Sequence, residues 1–300
     1  MSDVAVTAAA EAVRSIRPWR VLVSIAWSQH RTKIGVVITV LLVAIALIGP
    51  FVTPHPPDQG VEGLLPFANP QRDALLGTDA IGRDVLSRFL AGGVSVLALS
   101  GLATVLGVAG GVAVGLLAAY SRGRLDEFVM RAMDVVLSFP QIVFALVLAA
   151  TVGPKLWLLV VAVAVTTVPR AARVARGAAV EVVERDYVRA AEAIGLPRRK
   201  ILWSEVLPNI TSPLLVETTL RLTFNIAVVA GLSFLGFGLQ PPAADWGLMI
   251  NENKNGLTIQ PWPVVMPVIA IGLLTIGTSL IGDGLNRAAI GIERARKGQE

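Results

Sequence analysis

The chain has 300 residues, of which 54% are hydrophobic and only 16% charged, and its mean hydropathy is +0.68. A soluble domain averages roughly 45–50% apolar and about 25% charged residues, so the composition is that of a membrane protein. The formal charge of +5 would point to nucleic acid in a soluble chain, but here it reflects basic loops on the cytoplasmic side of a bilayer, and no nucleic-acid partner is expected. With no cysteine, disulfides, thiolate chemistry and Cys-based metal sites are excluded, and the two isolated histidines, His30 and His55, are too few for a His-based metal site.

Six apolar runs predict an all-α protein with six membrane-spanning helices. Before the first of them, Trp19 to Lys33 mixes Trp19, Val21, Leu22, Ile25 and Trp27 with Arg20, Arg31 and Lys33. This pattern fits a helix lying on the membrane surface or a tail with a few apolar residues. The first span runs from about Ile34 to Val52. The 33 residues before it, and the lack of a small-residue cleavage site in Pro50 to Pro57, mark it as a retained anchor rather than a signal peptide.

The second span is expected from Val94 to Tyr120 and the third from Asp134 to Val152. In the second, Gly107, Gly111 and Gly115 recur every four residues. That spacing permits close approach to a neighbouring helix, or less simply a contact with substrate. The fourth span, centred on Leu156 to Val168, is the shortest. The 14 residues between Lys155 and Arg170 make about 21 Å of helix against an apolar core of roughly 30 Å, a gap that snorkelling would narrow.

Between the fourth and fifth spans lies the one sizeable inside loop, residues 170–209. Glu181 to Ile194 reads as a helix, Gly195-Leu196-Pro197 as a break, and Arg198 to Leu207 as a second helix ending at Pro208-Asn209. Ala190, Ala191 and Ala193 leave a smooth surface suited to a cleft in another protein, or simply a well-capped surface helix.

The fifth span, Ser212 to Leu235, carries Glu217, Arg221 and Asn225 four residues apart and so on one face. Arg221 near mid-membrane costs about 2.5–3.5 kcal/mol on insertion scales, and Glu217 lies within reach. The three form either a structural ion pair or inter-subunit contact, or a polar stripe along a transport path. The sixth span runs from Trp262 to Ile281.

Charge orients the bundle. Of the 26 Lys and Arg, only Arg72, Arg83, Arg88, Lys155 and Lys254 fall in outside segments if the N-terminus is inside. Arg221 is within a span, and the rest, among them Arg14, Arg17 and Arg122, are inside. The bias places both termini in the cytoplasm. The expected organisation is a cytoplasmic segment 1–33, an anchor 34–53 and an extracytoplasmic segment 54–93. A transmembrane domain, 94–285, containing the 170–209 loop, and a cytoplasmic tail, 286–300, complete it.

Several motifs now carry a resemblance. Arg189-Ala190-Ala191-Glu192-Ala193-Ile194-Gly195, followed by Val206-Leu207-Pro208-Asn209, resembles the EAA loop of bacterial ABC importer permeases, with Arg189 where the family usually has Glu. Leu76-Gly77-Thr78-Asp79 with Gly82-Arg83-Asp84-Val85-Leu86-Ser87-Arg88 resembles a signature of the dipeptide, oligopeptide and nickel permeases. So does Leu232-Ser233-Phe234-Leu235-Gly236-Phe237-Gly238-Leu239-Gln240-Pro241-Pro242 with Trp246-Gly247. Asp126, Met130, Arg131, Asp134 and Pro140, and Ile281-Gly282-Asp283-Gly284-Leu285, match further family patterns. Val94 and Val229 depart from it, standing where Arg and Glu are common.

The likeness spans about Ile34 to Leu285 and is greatest to the C-type subunit. It implies an ABC importer type I-like transmembrane domain in the bacterial inner membrane that carries peptides. It also implies a second permease as heterodimer partner, two ATP-binding cassette subunits and an extracytoplasmic solute-binding protein. Tyr187, Arg189, Ala190, Ala191, Gly195, Leu207 and Pro208 would form the loop that couples to the ATPases.

No G-x-x-x-x-G-K-[ST] phosphate loop is present, and none of the five lysines is followed by Ser or Thr. No cofactor is expected in this chain, ATP being bound by partner subunits, and no catalytic residue is assigned. A secondary transporter would need ionisable residues in several spans and inverted repeats. A membrane enzyme would need a cluster of nucleophile, base or metal ligands. Neither pattern is seen in the sequence.

Overall fold

The computed structural model describes residues 18–121 and 123–297. Arg14, Arg17 and Arg122, three of the charges behind the expected orientation, lie outside the described residues. The fold is all-α: among the described residues there is no β-strand, only isolated bridges such as Thr78 to Asp84. Among the described residues five helices are long and apolar enough to cross a membrane, or six if one sharply bent pair is counted as a single span.

Helix α1 (Pro18–Ser28) and α2 (His30–Ile48) are parted by the extended backbone of Gln29. Leu22 and Ala26 of α1 are buried against Leu215, Leu285, Ala288 and Ala289, whereas Val23, Ile25 and Trp27 are exposed. Thus α1 lies on the bundle by one face and presents an apolar outer face. A short helix, α3 (Val85–Ala91), leads into α4 (Gly93–Ser121), the second span.

The third span is where the sequence reading needs correction. A continuous helix over Asp134–Val152 was expected; the chain instead forms α5 (Arg124–Leu137) and α6 (Gln141–Val152), bent by 77° across Ser138–Pro140. Proline disfavours helical backbone in the residue before it, and Pro140 itself is extended (φ −58, ψ 128). The 12 residues of α6 reach only about 18 Å.

The fourth span is also longer than the charges suggested. Helix α7 runs from Leu156 to Val183, straight past Pro169 and Arg170. Its buried stripe continues through Ala171, Ala172, Ala175 and Ala179 while Arg170 and Arg173 stay exposed. Packing against α4 therefore carries the helix beyond the apolar run. At the heart of the bundle α4 and α7 pack closely. A Cβ built on Gly107 would lie 2.6 Å from Thr167 Cβ, one on Gly111 2.5 Å from Ala171 Cβ, and one on Gly115 2.5 Å from the Ala172 carbonyl.

The loop helices differ too. The first is α8 (Asp186–Ala193), not Glu181–Ile194, because α7 ends at Val183 and Arg185 is extended. No Gly or Pro marks the break; Val183 and Val188 enter the same core cluster from two directions, and that packing sets the corner. The second, α9 (Arg198–Ile201), does not stop at Pro208-Asn209. A wide π turn (Leu202–Val206) and a tight 3-10 turn (Leu207–Ile210) carry it into α10 (Thr211–Phe234). Pro208 falls in the first turn of the tight segment, where a missing N–H is tolerated. Helices α11 (Trp246–Asn253) and α12 (Trp262–Lys297) complete the fold.

Candidate functional site

At the end of the bundle where α7 finishes, α8 and α9 form a compact turn. Gly195 has φ +78, the left-handed conformation that ends a helix most readily with glycine. Its N–H reaches the Glu192 carbonyl at 3.0 Å and the Leu196 N–H reaches the Ala191 carbonyl at 3.1 Å, closing the helix end. Behind the turn, Val188, Ala191, Ile201, Val206 and Ile210 join Leu116, Ala175, Ala179 and Val183 in one buried cluster.

That packing separates the residues expected to act together. Ala191 turns into the cluster, and Leu207 packs against its edge. Arg189, Ala190 and Gly195 are exposed, as are Tyr187 and Ile194, so α8 with its capping residue Ile194 offers a surface of Tyr187, Ala190 and Ile194. Pro208 shapes the chain's return to α10. A cleft of about 610 Å³ beside the turn is lined by Tyr120, Val183, Arg189, Glu192, Leu196 and Arg198. Across it the Tyr120 hydroxyl donates to Glu192 Oε1 at 2.6 Å, and the Arg198 guanidinium lies 5.5 Å from the Tyr120 ring centre.

Within the bundle, Arg221 Nε lies 2.8 Å from Glu217 Oε1, with the guanidinium 5.2 Å from the Phe224 ring centre. Asn225 does not join this pair. It is 1% exposed and bonds to three other helices: its Nδ2 donates to Thr104 Oγ1 at 3.0 Å, and its Oδ1 accepts from Thr167 and Gln141 at 3.3 Å. The side chain thus ties α10 to α4, α7 and the first residue of α6.

The opposite end of the bundle holds a buried network that sequence reasoning missed. Glu252 Oε2 accepts from Arg83 Nη2 and from Arg88 Nη2, each at 2.8 Å. Asp79 Oδ2 takes the Arg83 Nε–H at 2.6 Å. The Arg88 fork also donates to the carbonyls of Pro57, Pro242 and Ala243. Trp246 stacks on Phe89 at 5.6 Å and donates its indole N–H to the Phe89 carbonyl at 2.8 Å. Asp245 accepts from Ser95 and Ser233 and caps α11 through the Leu248 N–H. Two motifs far apart in sequence are therefore halves of one cap over the bundle. The signal was present, since the charged Arg83-Asp84 and Arg88 around a short apolar stretch, and a Trp beside Asp in a Pro-rich segment, both demand partners. Among the described residues no group of three or more His, Asp or Glu could hold a metal.

Comparison with known proteins agrees with this architecture. Residues 111–290 match the family model described as the binding-protein-dependent transport system inner membrane component. The chain is 34% identical over 276 residues to the glutathione transport system permease protein GsiD of Pectobacterium atrosepticum, covering 92% of each chain. It is 34% identical over 259 residues to the di/tripeptide transport system permease protein DppC of Pseudomonas aeruginosa, covering 85% of this chain and 86% of that one. Among solved structures, a chain of the MetNI methionine ABC transporter in an inward-facing conformation has the same fold. It aligns with a TM-score of 0.51 at 20% identity over 66% of this chain and 96% of the other. Helices that cross the membrane, a projecting turn at one end and a knitted cap at the other accord with this match. The chain belongs to the binding-protein-dependent transport system inner membrane components and is a multi-pass permease subunit of an ATP-driven importer.

Proposed function

We propose that the chain forms half of the membrane pathway of a peptide importer, pairing with a second, related permease. ATPase subunits dock on α8, and a solute-binding protein delivers peptide to the cap formed by the 54–93 and 235–261 segments. Both termini then lie in the cytoplasm, a reading supported by the bias of Lys and Arg. Peptide as cargo is supported by the relatives that transport glutathione and di- or tripeptides. In this reading ATP binding closes the ATPases, draws the coupling helices together and shifts the bundle between states that ATP favours unequally.

The observation that carries the proposal is the split of α8 into an anchored and an offered side. Val188 and Ala191 root it in the bundle, while Tyr187, Ala190 and Ile194 face outward. The cross-linking test uses cysteines placed one at a time in a chain that has none. Ala190→Cys should cross-link to an ATPase subunit in the assembled complex and Ala191→Cys should not. Equal cross-linking, or none at Ala190 in an active complex, would contradict docking at α8.

A further inference from the structure

Helix α5 is lightly anchored in the bundle. Among the described residues none of its side chains is buried. Asp126, Val129, Met130, Met133 and Val136 form a half-buried stripe, and Leu125, Phe128 and Val135 are exposed. The backbone changes direction at both ends, at Gly123 (φ +77, ψ −140) and across Ser138–Pro140. Beyond the second break the chain is fastened: Gln141 bonds Asn225, and Ala145 is buried with Leu159, Val160 and Val163.

Two ion pairs join α5 to α7. Arg173 pairs with Asp134, but both are more than half exposed, and such pairs contribute little. Arg176 with Asp126 is different. Arg176 Nε donates to Asp126 Oδ1 at 2.6 Å and Nη2 to Oδ2 at 2.5 Å, and the Asp126 side chain is only 16% exposed. This parallel fork is the strong form of the interaction, fixed in direction as well as distance.

Arg176 stands about two turns before α7 ends at Val183. There Val183 packs with Val188 of α8. On the other side, Glu192 of α8 accepts from Tyr120, in the last turn of α4 just before Gly123. Helix α8 therefore grips both the chain entering α5 and the helix to which α5 is bound.

We propose that the Asp126–Arg176 fork makes α5 follow α8. When α8 is displaced, the end of α7 and α5 move as one body, and α5 turns on Gly123 and on the Ser138–Pro140 break. Asp126 and Arg176 are positioning residues: they act through α5 by fixing where it stands on α7. The link rests on the reading of α8 as the ATPase-docking helix.

The test uses the full complex in proteoliposomes, with Asp126→Asn, Arg176→Gln and the exchange of the two residues, Asp126→Arg with Arg176→Asp. Uptake per ATP hydrolysed should fall about tenfold in each single variant, within the usual range for coupling between sites, and should recover in the exchange. Wild-type ratios in the single variants, or an exchange as poor as either, would overturn the link.

A second measurement leaves the fork intact. Spin labels at Phe128→Cys and Gly177→Cys, both exposed positions, should keep a constant separation with and without ATP while each moves relative to α2. A separation that changes with ATP would show that α5 and α7 move independently. Absence of cross-linking at Ala190→Cys in a complex that still takes up cargo would instead overturn the assignment of α8, a result distinct from uncoupling in the fork variants alone.

Discussion

Arg88 of α3 donates a hydrogen bond to Glu252 of α11 across 2.8 Å, joining segments 164 residues apart. Arg88 is fully buried and Arg83, which shares the same oxygen, is 2% exposed. Glu252 is the carboxylate both guanidinium groups hold, and Asp79 approaches Arg88 Nε only to 3.6 Å. Glu252→Ala should therefore loosen the cap. Breaking a buried pair from one side costs about 3–5 kcal/mol, which should appear as a lower melting temperature of the detergent-solubilised chain. Glu252→Gln, which keeps an accepting oxygen, should fall between. An unchanged melting temperature in Glu252→Ala would show that the network does not hold the cap.

Gly195 should tolerate residues by conformation and not by size. A Cβ there meets nothing within 4 Å, yet φ is +78. Gly195→Val strains the backbone by about 1–3 kcal/mol and should misdirect α8, so that the subunit inserts and assembles but uptake uncouples from ATP hydrolysis. Gly195→Asn, able to adopt the left-handed region, should retain most uptake. Equal behaviour of the two variants would remove the turn from the account.

Gly111 should tolerate no larger side chain. A Cβ would come within 2.5 Å of Ala171 Cβ and 2.7 Å of the Val168 carbonyl, whereas one on Gly101 of the same helix meets nothing. Gly111→Val should lower the yield of folded protein, since overpacking costs about 1–3 kcal/mol, and Gly101→Val should not. Similar yields, read by size-exclusion chromatography of both variants, would contradict close packing of α4 on α7.

The apolar runs and the four-residue glycine spacing made the bundle legible in the sequence, because lipid burial and close helix approach each leave a compositional trace. Gly195 was legible for the same reason: few residues suit its backbone. What was hidden depended on neighbours. Arg170 and Arg173 masked the alanine stripe that extends α7, and the bend before Pro140 was read through as one helix. The corner at Glu184–Arg185 has no breaker residue, being set by the packing of Val183 and Val188. Ala190 and Ala191 look alike in sequence, and only the cluster behind α8 decides which one is buried. Asn225 shares a face with Arg221 by spacing but bonds elsewhere, to partners on three other helices.

Removal of Arg221 alone should do more harm than removal of both members of its pair. Glu217 is 6% exposed, and Arg221→Ala leaves that carboxylate buried without its partner. Deleting both charges can be nearly neutral, whereas deleting one costs about 3–5 kcal/mol. The double variant Glu217→Leu with Arg221→Leu should recover complex yield. Strictly additive losses across the two single variants and the double would show that the 2.8 Å approach carries no energy.

Peptide is proposed to cross the membrane through this chain with energy supplied by separate ATPase subunits. The direct measurement is uptake of labelled dipeptide, glutathione and oligopeptide into proteoliposomes, holding either this chain alone or the chain with its second permease, ATPases and binding protein. The chain alone should show no ATP hydrolysis and no accumulation, and the complete complex should accumulate a peptide in an ATP-dependent way. Accumulation by the chain alone, driven by a proton or sodium gradient without ATPase subunits, would contradict the proposal.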